Sequence, residues 1–116
     1  MLDFGFWVFL KGPMEAYQNI SAQSAAAMIK RGACLIIDVR TPKEFALHSI
    51  AGARLLPISE LQIRHHEIPQ NSDKPILFIC EHGIRSVSAC EALAPHGWRN
   101  LVNLEGGMAA WIEAGL

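Results

Sequence analysis

The chain has 116 residues and a mass of 12.8 kDa, with 10 Lys and Arg against 11 Asp and Glu, a formal charge of −1. Hydrophobic residues make up 51% and charged residues 18%, enough apolar surface to offset the chain entropy that keeps polar sequences disordered. A disordered module is therefore excluded, and one domain is expected. The near-zero charge, a pI near 6.5 and the lack of any Lys/Arg run leave no basic surface for nucleic acid. Three cysteines at the scattered positions 34, 80 and 90 do not resemble a disulfide framework, which favours a reducing, cytoplasmic compartment.

Leu2 to Leu10 is largely apolar and carries Phe4, Phe6, Trp7 and Phe9. It is too short for a membrane span, which takes about 20 apolar residues. Asp3 precedes the run and Lys11-Gly12-Pro13 follows it, unlike the basic start and small-residue end of a secretory leader. Two readings stand: residues 1–13 form an apolar extension that packs on the domain, or they lie upstream of a natural start at Met14. The domain is expected over residues 14–116.

From Ile20 onward, short apolar runs alternate with helical stretches. Ser21 is placed to cap an Ala-rich helix over Ala22 to Lys30, stopped by Gly32. Leu35-Ile36-Ile37, ending at Asp38, has the continuous apolar pattern of a strand buried on both faces. Thr41-Pro42-Lys43-Glu44 reads as a capping box with proline where its missing N–H is not needed, so a helix starts at Pro42. Gly52 to Pro57 carries a second short strand, and Ser59 with Gln62 predicts another capped helix toward Ile68. Pro69 to Pro75 is a polar loop.

Ile76 to Cys80 is the strongest strand, Glu81 to Arg85 a loop, and Ser86 to His96 a helix ended by Gly97. Leu101 to Leu104 is the last strand. After Glu105-Gly106-Gly107 a short helix reaches Gly115, with Met108, Trp111 and Ile112 on a stripe facing the core. This alternation predicts an α/β fold built on a parallel sheet covered on both faces. Ligands bind such sheets outside the carboxyl ends of the strands, where this chain places Asp38-Val39-Arg40, Cys80 to Arg85 and Glu105-Gly106-Gly107.

Cys80 is the most informative residue. It ends the strongest strand with a helix only a few residues on, so the intervening loop must curl tightly with backbone N–H groups turned inward. Such a concavity at the positive end of a helix favours an anion, and a thiol on its rim would ionise more readily and react as thiolate. Gly83 relieves the turn and Arg85 adds a positive charge. Cysteine alone reads as a buried small hydrophobe. A strand, then Cys-x-x-Gly-x-Arg-Ser, then a helix reads instead as a nucleophile with an anion cradle. Cys34 and Cys90, beside a buried strand and on a helix face with Leu93, read as small hydrophobes.

At this point the sequence resembles the single-domain rhodaneses, a family of sulfurtransferases. Ile37 to Phe45 is similar to the family's opening Asp-Val-Arg-x-x-x-Glu-Phe signature, and Ile50-Ala51-Gly52-Ala53 with Pro57 to the segment that follows. Cys80 to Ser86 is similar to the active-site loop, and Leu104 to Trp111 to the closing Gly-Gly-x-x-x-Trp signature. The likeness runs from about Ile20 to Gly115. It implies a central, mostly parallel five-stranded sheet with helices on both faces.

The resemblance also implies a two-step reaction without metal or organic cofactor. Cys80 takes sulfur from a small donor such as thiosulfate, becomes a persulfide, and passes the sulfur to cyanide, a thiol or a protein thiol. Glu81, His82, Gly83, Ile84, Arg85 and Ser86 form the substrate-binding loop, and Asp38, Arg40, Gly106 and Gly107 support it. Arg85 is expected either to hold the donor's anionic group or to fix the loop. His82 assists the thiolate, contacts donor, or simply faces solvent.

Some residues depart from the family pattern. His48-Ser49-Ile50-Ala51 stands where the family usually reads Gly-His-Ile-Pro, and Leu55 replaces a polar residue before Pro57. Glu81 beside the nucleophile should repel an anionic donor. Two other readings are a cysteine phosphatase or arsenate reductase and a binding module without activity. Only four residues, Glu81 to Ile84, separate cysteine from arginine, where the related cell-cycle phosphatases have five, and passive modules typically lose the cysteine. Adjacent His65 and His66 point different ways on a helix and lack metal-ligand spacing.

Overall fold

The computed structural model describes residues 16–116. The expected extension at residues 1–13, and Met14 as a start, fall outside them.

Among the described residues five strands make one sheet: β1 (Gln18–Ile20), β2 (Leu35–Asp38), β3 (Arg54–Leu55), β4 (Ile76–Ile79) and β5 (Leu101–Leu104). Every pairing is parallel and the order is β1-β5-β4-β2-β3, so the apolar runs at Ile76 and Leu101 lie centrally. Alternate side chains of a strand leave opposite faces, and the two cores divide accordingly. Ile37, Phe78, Cys80 and Leu101 join one core with Ala89, Cys90, Leu93 and Trp98. Ile36, Leu77, Ile79, Val102 and Leu104 join the other with Ala22, Ala25 and Met108. The continuous apolar runs are read correctly as strands buried on both sides, and Cys80 falls on the face covered by the helix that follows it.

Among the described residues there are five α-helices, four between strands and one after β5: α1 (Ala22–Lys30), α2 (Pro42–Leu47), α3 (Leu61–Arg64), α4 (Ile84–Leu93) and α5 (Gly107–Glu113). Ser21 Oγ accepts the Ser24 N–H at 3.1 Å, and Thr41 with Glu44 completes the capping box of α2, as their side chains predict.

Other expectations need correction. Ser59 caps nothing: it lies within a 3-10 turn over Ile58–Glu60, and α3 is a single turn running into a second 3-10 turn at His65–Glu67. The helix after Cys80 begins at Ile84 instead of Ser86, because Gly83 at φ +89° supplies the N-cap geometry. Arg85 is therefore in the first turn of a helix and not in a loop. Ile112 is 50% exposed, leaving Met108 and Trp111 as the apolar contacts of α5. Strand β1 has no apolar run in the sequence; it forms because β5 offers an edge, with Asn19 opposite Asn103.

Cys34 and Cys90 both pack as apolar groups. Burial pushes the Cys34 thiol up, and burial with Glu91 nearby pushes Cys90 up to about 12. Cys90→Ala is expected to lower the free energy of unfolding by about 1–2 kcal/mol in urea titrations, through the cavity it leaves. Cys34→Ala, at a half-buried position, should cost less than half as much; equal losses would contradict this division.

Candidate active site

Cys80 leaves the end of β4 with its side chain 1% exposed. The Gly83 N–H donates to Cys80 Sγ at 3.0 Å, and Ser86 Oγ lies 3.2 Å from the same sulfur. One donor and one hydroxyl thus converge on a buried thiol at the carboxyl edge of a parallel sheet, the edge at which the sequence places the site.

The loop is shaped from below by α5. Met108 N–H donates to the Cys80 carbonyl at 2.8 Å and Ala109 N–H to the Glu81 carbonyl at 3.0 Å. These are N–H groups of the first helical turn, which have no partners within their own helix. Backbone reaches backbone here because position 107 is glycine: a Cβ there would lie 2.4 Å from the Cys80 carbonyl oxygen and 2.5 Å from Glu81. Gly106 and Gly107 also hold φ of +78° and +62°, which side chains disfavour. Gly83 is wedged 3.2 Å from Gly106 N by the same measure.

A second support comes from β2. Arg40 is 2% and Asp38 0% exposed. The guanidinium donates to both Asp38 oxygens at 2.8–3.1 Å, to the His48 carbonyl at 2.6 Å and to Glu81 Oε1 at 3.3 Å. Burial opposes its charge, and the Asp38 and Glu81 carboxylates outweigh burial, raising the Arg40 pKa. Glu81, beside the nucleophile, is thus paired with Arg40.

Arg85 makes two parallel bonds to Glu44, Nη1 to Oε1 and Nη2 to Oε2, each 2.9 Å. This pairing ties the first turn of α4 to the first turn of α2. Glu44 meanwhile accepts the Thr41 N–H at 3.0 Å, so one carboxylate both caps α2 and anchors α4. The Arg85 hydrogen bonds, followed by the Thr41 N–H, hold its pKa down to about 2.

His82 and Ile84 face solvent, Ile84 being 73% exposed. His65 meets Trp98 edge-on with ring centroids 5.4 Å apart. An apolar groove of about 630 Å³ between Leu61, His65, Leu93 and Trp98 includes no residue of the Cys80 loop.

Sequence reasoning missed Asn103. This residue is 3% exposed in β5; it accepts the Ser86 hydroxyl on Oδ1 and donates through Nδ2 to Asn19 Oδ1 at 2.9 Å. A lone amide inside the apolar run Leu-Val-Asn-Leu was the available signal, since buried polar residues need partners.

The family model for the Rhodanese-like domain matches residues 21–114. The chain is 40% identical over 82 residues to a sulfurtransferase of Allochromatium vinosum, spanning 71% of this chain and 75% of that protein. It is 35% identical over 100 residues to the thiosulfate sulfurtransferase GlpE of Ectopseudomonas mendocina, spanning 84% and 87% respectively. The crystal structure of a rhodanese-related protein from Thermoplasma volcanium matches with a TM-score of 0.77 at 40% identity, covering 85% of this chain and 94% of that one.

The Glu44–Arg85 pair gives a pH dependence of known sign. Glu44 has a folded pKa of about 2 against 4.5 for the unpaired group, so its contribution to stability is complete above about pH 4.5 and is lost as the pH falls toward 2. Glu44→Gln should be less stable than the wild type near neutrality, and the gap in urea midpoint should narrow steadily below about pH 4.5. A gap that stays constant down to pH 2 would exclude the pair as its source.

Proposed function

Because the chain belongs to the rhodanese-like family, we propose that it is a sulfurtransferase that carries a sulfane sulfur from a small donor to a thiophilic acceptor as a persulfide on Cys80. The observation that carries this reading is the buried Cys80 sulfur receiving the Gly83 N–H at 3.0 Å beside Ser86 Oγ at 3.2 Å. A fixed N–H aimed at Sγ favours negative charge there when Cys80 attacks as thiolate and again when it leaves as thiolate, at no reorganisation cost during reaction.

In the first step the Cys80 thiolate attacks the outer sulfur of the donor. A new S–S bond forms to Sγ, the donor's bond to that sulfur breaks, and the leaving group, sulfite in the case of thiosulfate, departs with the electron pair. In the second step cyanide or a thiolate attacks the terminal sulfur and Cys80 leaves as thiolate, so no external oxidant or reductant is required. His82 and Ile84 sit where donor and acceptor arrive. Asp38, Arg40, Gly106 and Gly107 support the loop.

Both arginines are already bonded to carboxylates, Arg40 to Asp38 and Glu81, Arg85 to Glu44. A dianionic donor is thus held chiefly by backbone N–H groups, and Glu81 opposes it. Replacing Glu81 with Gln should raise kcat/KM for thiosulfate about two- to fivefold at low ionic strength, with the gain shrinking at high salt. An unchanged or slower variant would assign Glu81 to loop geometry alone.

Cys80→Ser is expected to keep the fold by circular dichroism and to lose sulfur transfer, since a serine hydroxyl is scarcely ionised and forms no persulfide. Mass spectrometry after incubation with thiosulfate should find an added sulfur, about 32 Da, on the Cys80 peptide of the wild type only. Retained thiosulfate:cyanide activity in the serine variant would sink the mechanism.

A further inference from the structure

Behind the Cys80 sulfur runs a chain of side-chain hydrogen bonds that the reaction as described does not use. Asn103 of β5 lies in register with Asn19 of β1, and neighbours in register on parallel strands share a face. Its Nδ2 donates to Asn19 Oδ1 at 2.9 Å. An amide donates only through nitrogen and accepts only through oxygen, so the oxygen is the end turned toward α4, and Ser86 Oγ donates to it. Ser86 is wholly buried and Asn103 is 3% exposed.

A serine hydroxyl has one proton. With that proton on Asn103, Ser86 meets the Cys80 sulfur at 3.2 Å with a lone pair. The thiol satisfies both neighbours at once, receiving the Gly83 N–H and donating its S–H to Ser86. The thiolate cannot: it either faces the serine lone pair or draws the hydroxyl proton away from Asn103.

We propose that Asn103 is a positioning residue for Cys80, acting through Ser86: by holding the Ser86 hydroxyl proton it makes Ser86 the acceptor of the Cys80 S–H rather than a donor to the sulfur. Formation of the reacting thiolate requires the S–H proton to leave, after which the sulfur either faces the serine lone pair or takes the hydroxyl proton from Asn103.

The charged and titratable groups on the surrounding elements include Glu81 and His82 in the loop, Arg85, Cys90 and Glu91 on α4, Asp38 at the end of β2 and Arg40 just after it, Lys43 and Glu44 on α2, Glu105 before α5 and Glu113 at its end. Substitutions at 86 and 103 alter none of these charges. The proposal rests on Cys80 as the reacting thiol, but its test does not require sulfur transfer. A wild type that forms no persulfide with any donor defeats the sulfurtransferase reading and leaves the measurement below intact.

The test is the rate of iodoacetamide alkylation at the Cys80 peptide against pH, in wild type, Ser86→Ala, Asn103→Leu and the double variant. Ser86→Ala removes the acceptor of the S–H and should move the rate–pH profile to lower pH by about half a unit to one unit, the equivalent of one hydrogen bond. Asn103→Leu frees the serine proton to turn toward sulfur and should move the profile in the same direction. In the double variant the Leu substitution should add nothing to the Ala substitution, because Asn103 acts only through Ser86.

A profile moved to higher pH by Ser86→Ala would show that the serine donates to the sulfur and would overturn the proposal. So would an Asn103→Leu shift that is absent with Ser86 present or that persists fully without it. If Asn103→Leu does not fold, the direction of the Ser86→Ala shift decides alone.

Discussion

The site depends on one close approach, the seating of the first turn of α5 against the backbone that leaves β4. The carbonyls of Cys80 and Glu81 would otherwise be left at the end of the sheet without ladder partners, and the N–H groups of Met108 and Ala109 have none within their helix. Each set satisfies the other, and only glycine at 107 lets them meet. With those carbonyls turned toward α5, the loop is held with the Gly83 N–H directed at sulfur. Gly83 in turn adopts the left-handed conformation that starts α4 and brings Ser86 beneath the thiol.

Charge is arranged around this backbone frame to position, more than to attract. Arg40 is buried against Asp38 and reaches Glu81 on the loop and His48 at the end of α2. An ion pair so deeply buried gives up much of its Coulomb gain to desolvation, so its clearest effect is to hold three chain segments in register. Arg85 and Glu44 do the same between α4 and α2 on the other side of the loop. A phosphatase of similar design would need its arginine free to clasp a tetrahedral oxyanion. Here it is bonded to Glu44, and only four residues separate it from the cysteine.

Much of the fold could be read from local pattern. The runs at Leu35, Ile76 and Leu101 read as strands of a parallel sheet covered on both faces, and Ser21 and Thr41 with Glu44 announced their helices. The misreadings have common causes. Gln18–Ile20 carries no apolar signature because its strand character comes from pairing with β5. Ser59 and Gln62 have the spacing of a cap without its use, since packing of Leu61 and Ile68 into the core favours a broken series of single turns. The start of α4 at Ile84 follows from the left-handed Gly83, a conformation that glycine permits but does not announce.

By itself the sequence determined the α/β class, the two-faced burial of the central strands, and the place of Cys80 at a carboxyl edge before a helix, because these follow from periodicity, capping chemistry and chain order. The tertiary structure decided how the charges are spent. Nothing local could pair Arg85 with Glu44 or Arg40 with Glu81, each 41 residues apart, or join Asn103 to Asn19 across 84 residues. Those partnerships arise because the parallel crossovers carry distant strand ends to one edge of the sheet, where buried polar groups must find whichever partners the topology brings within reach.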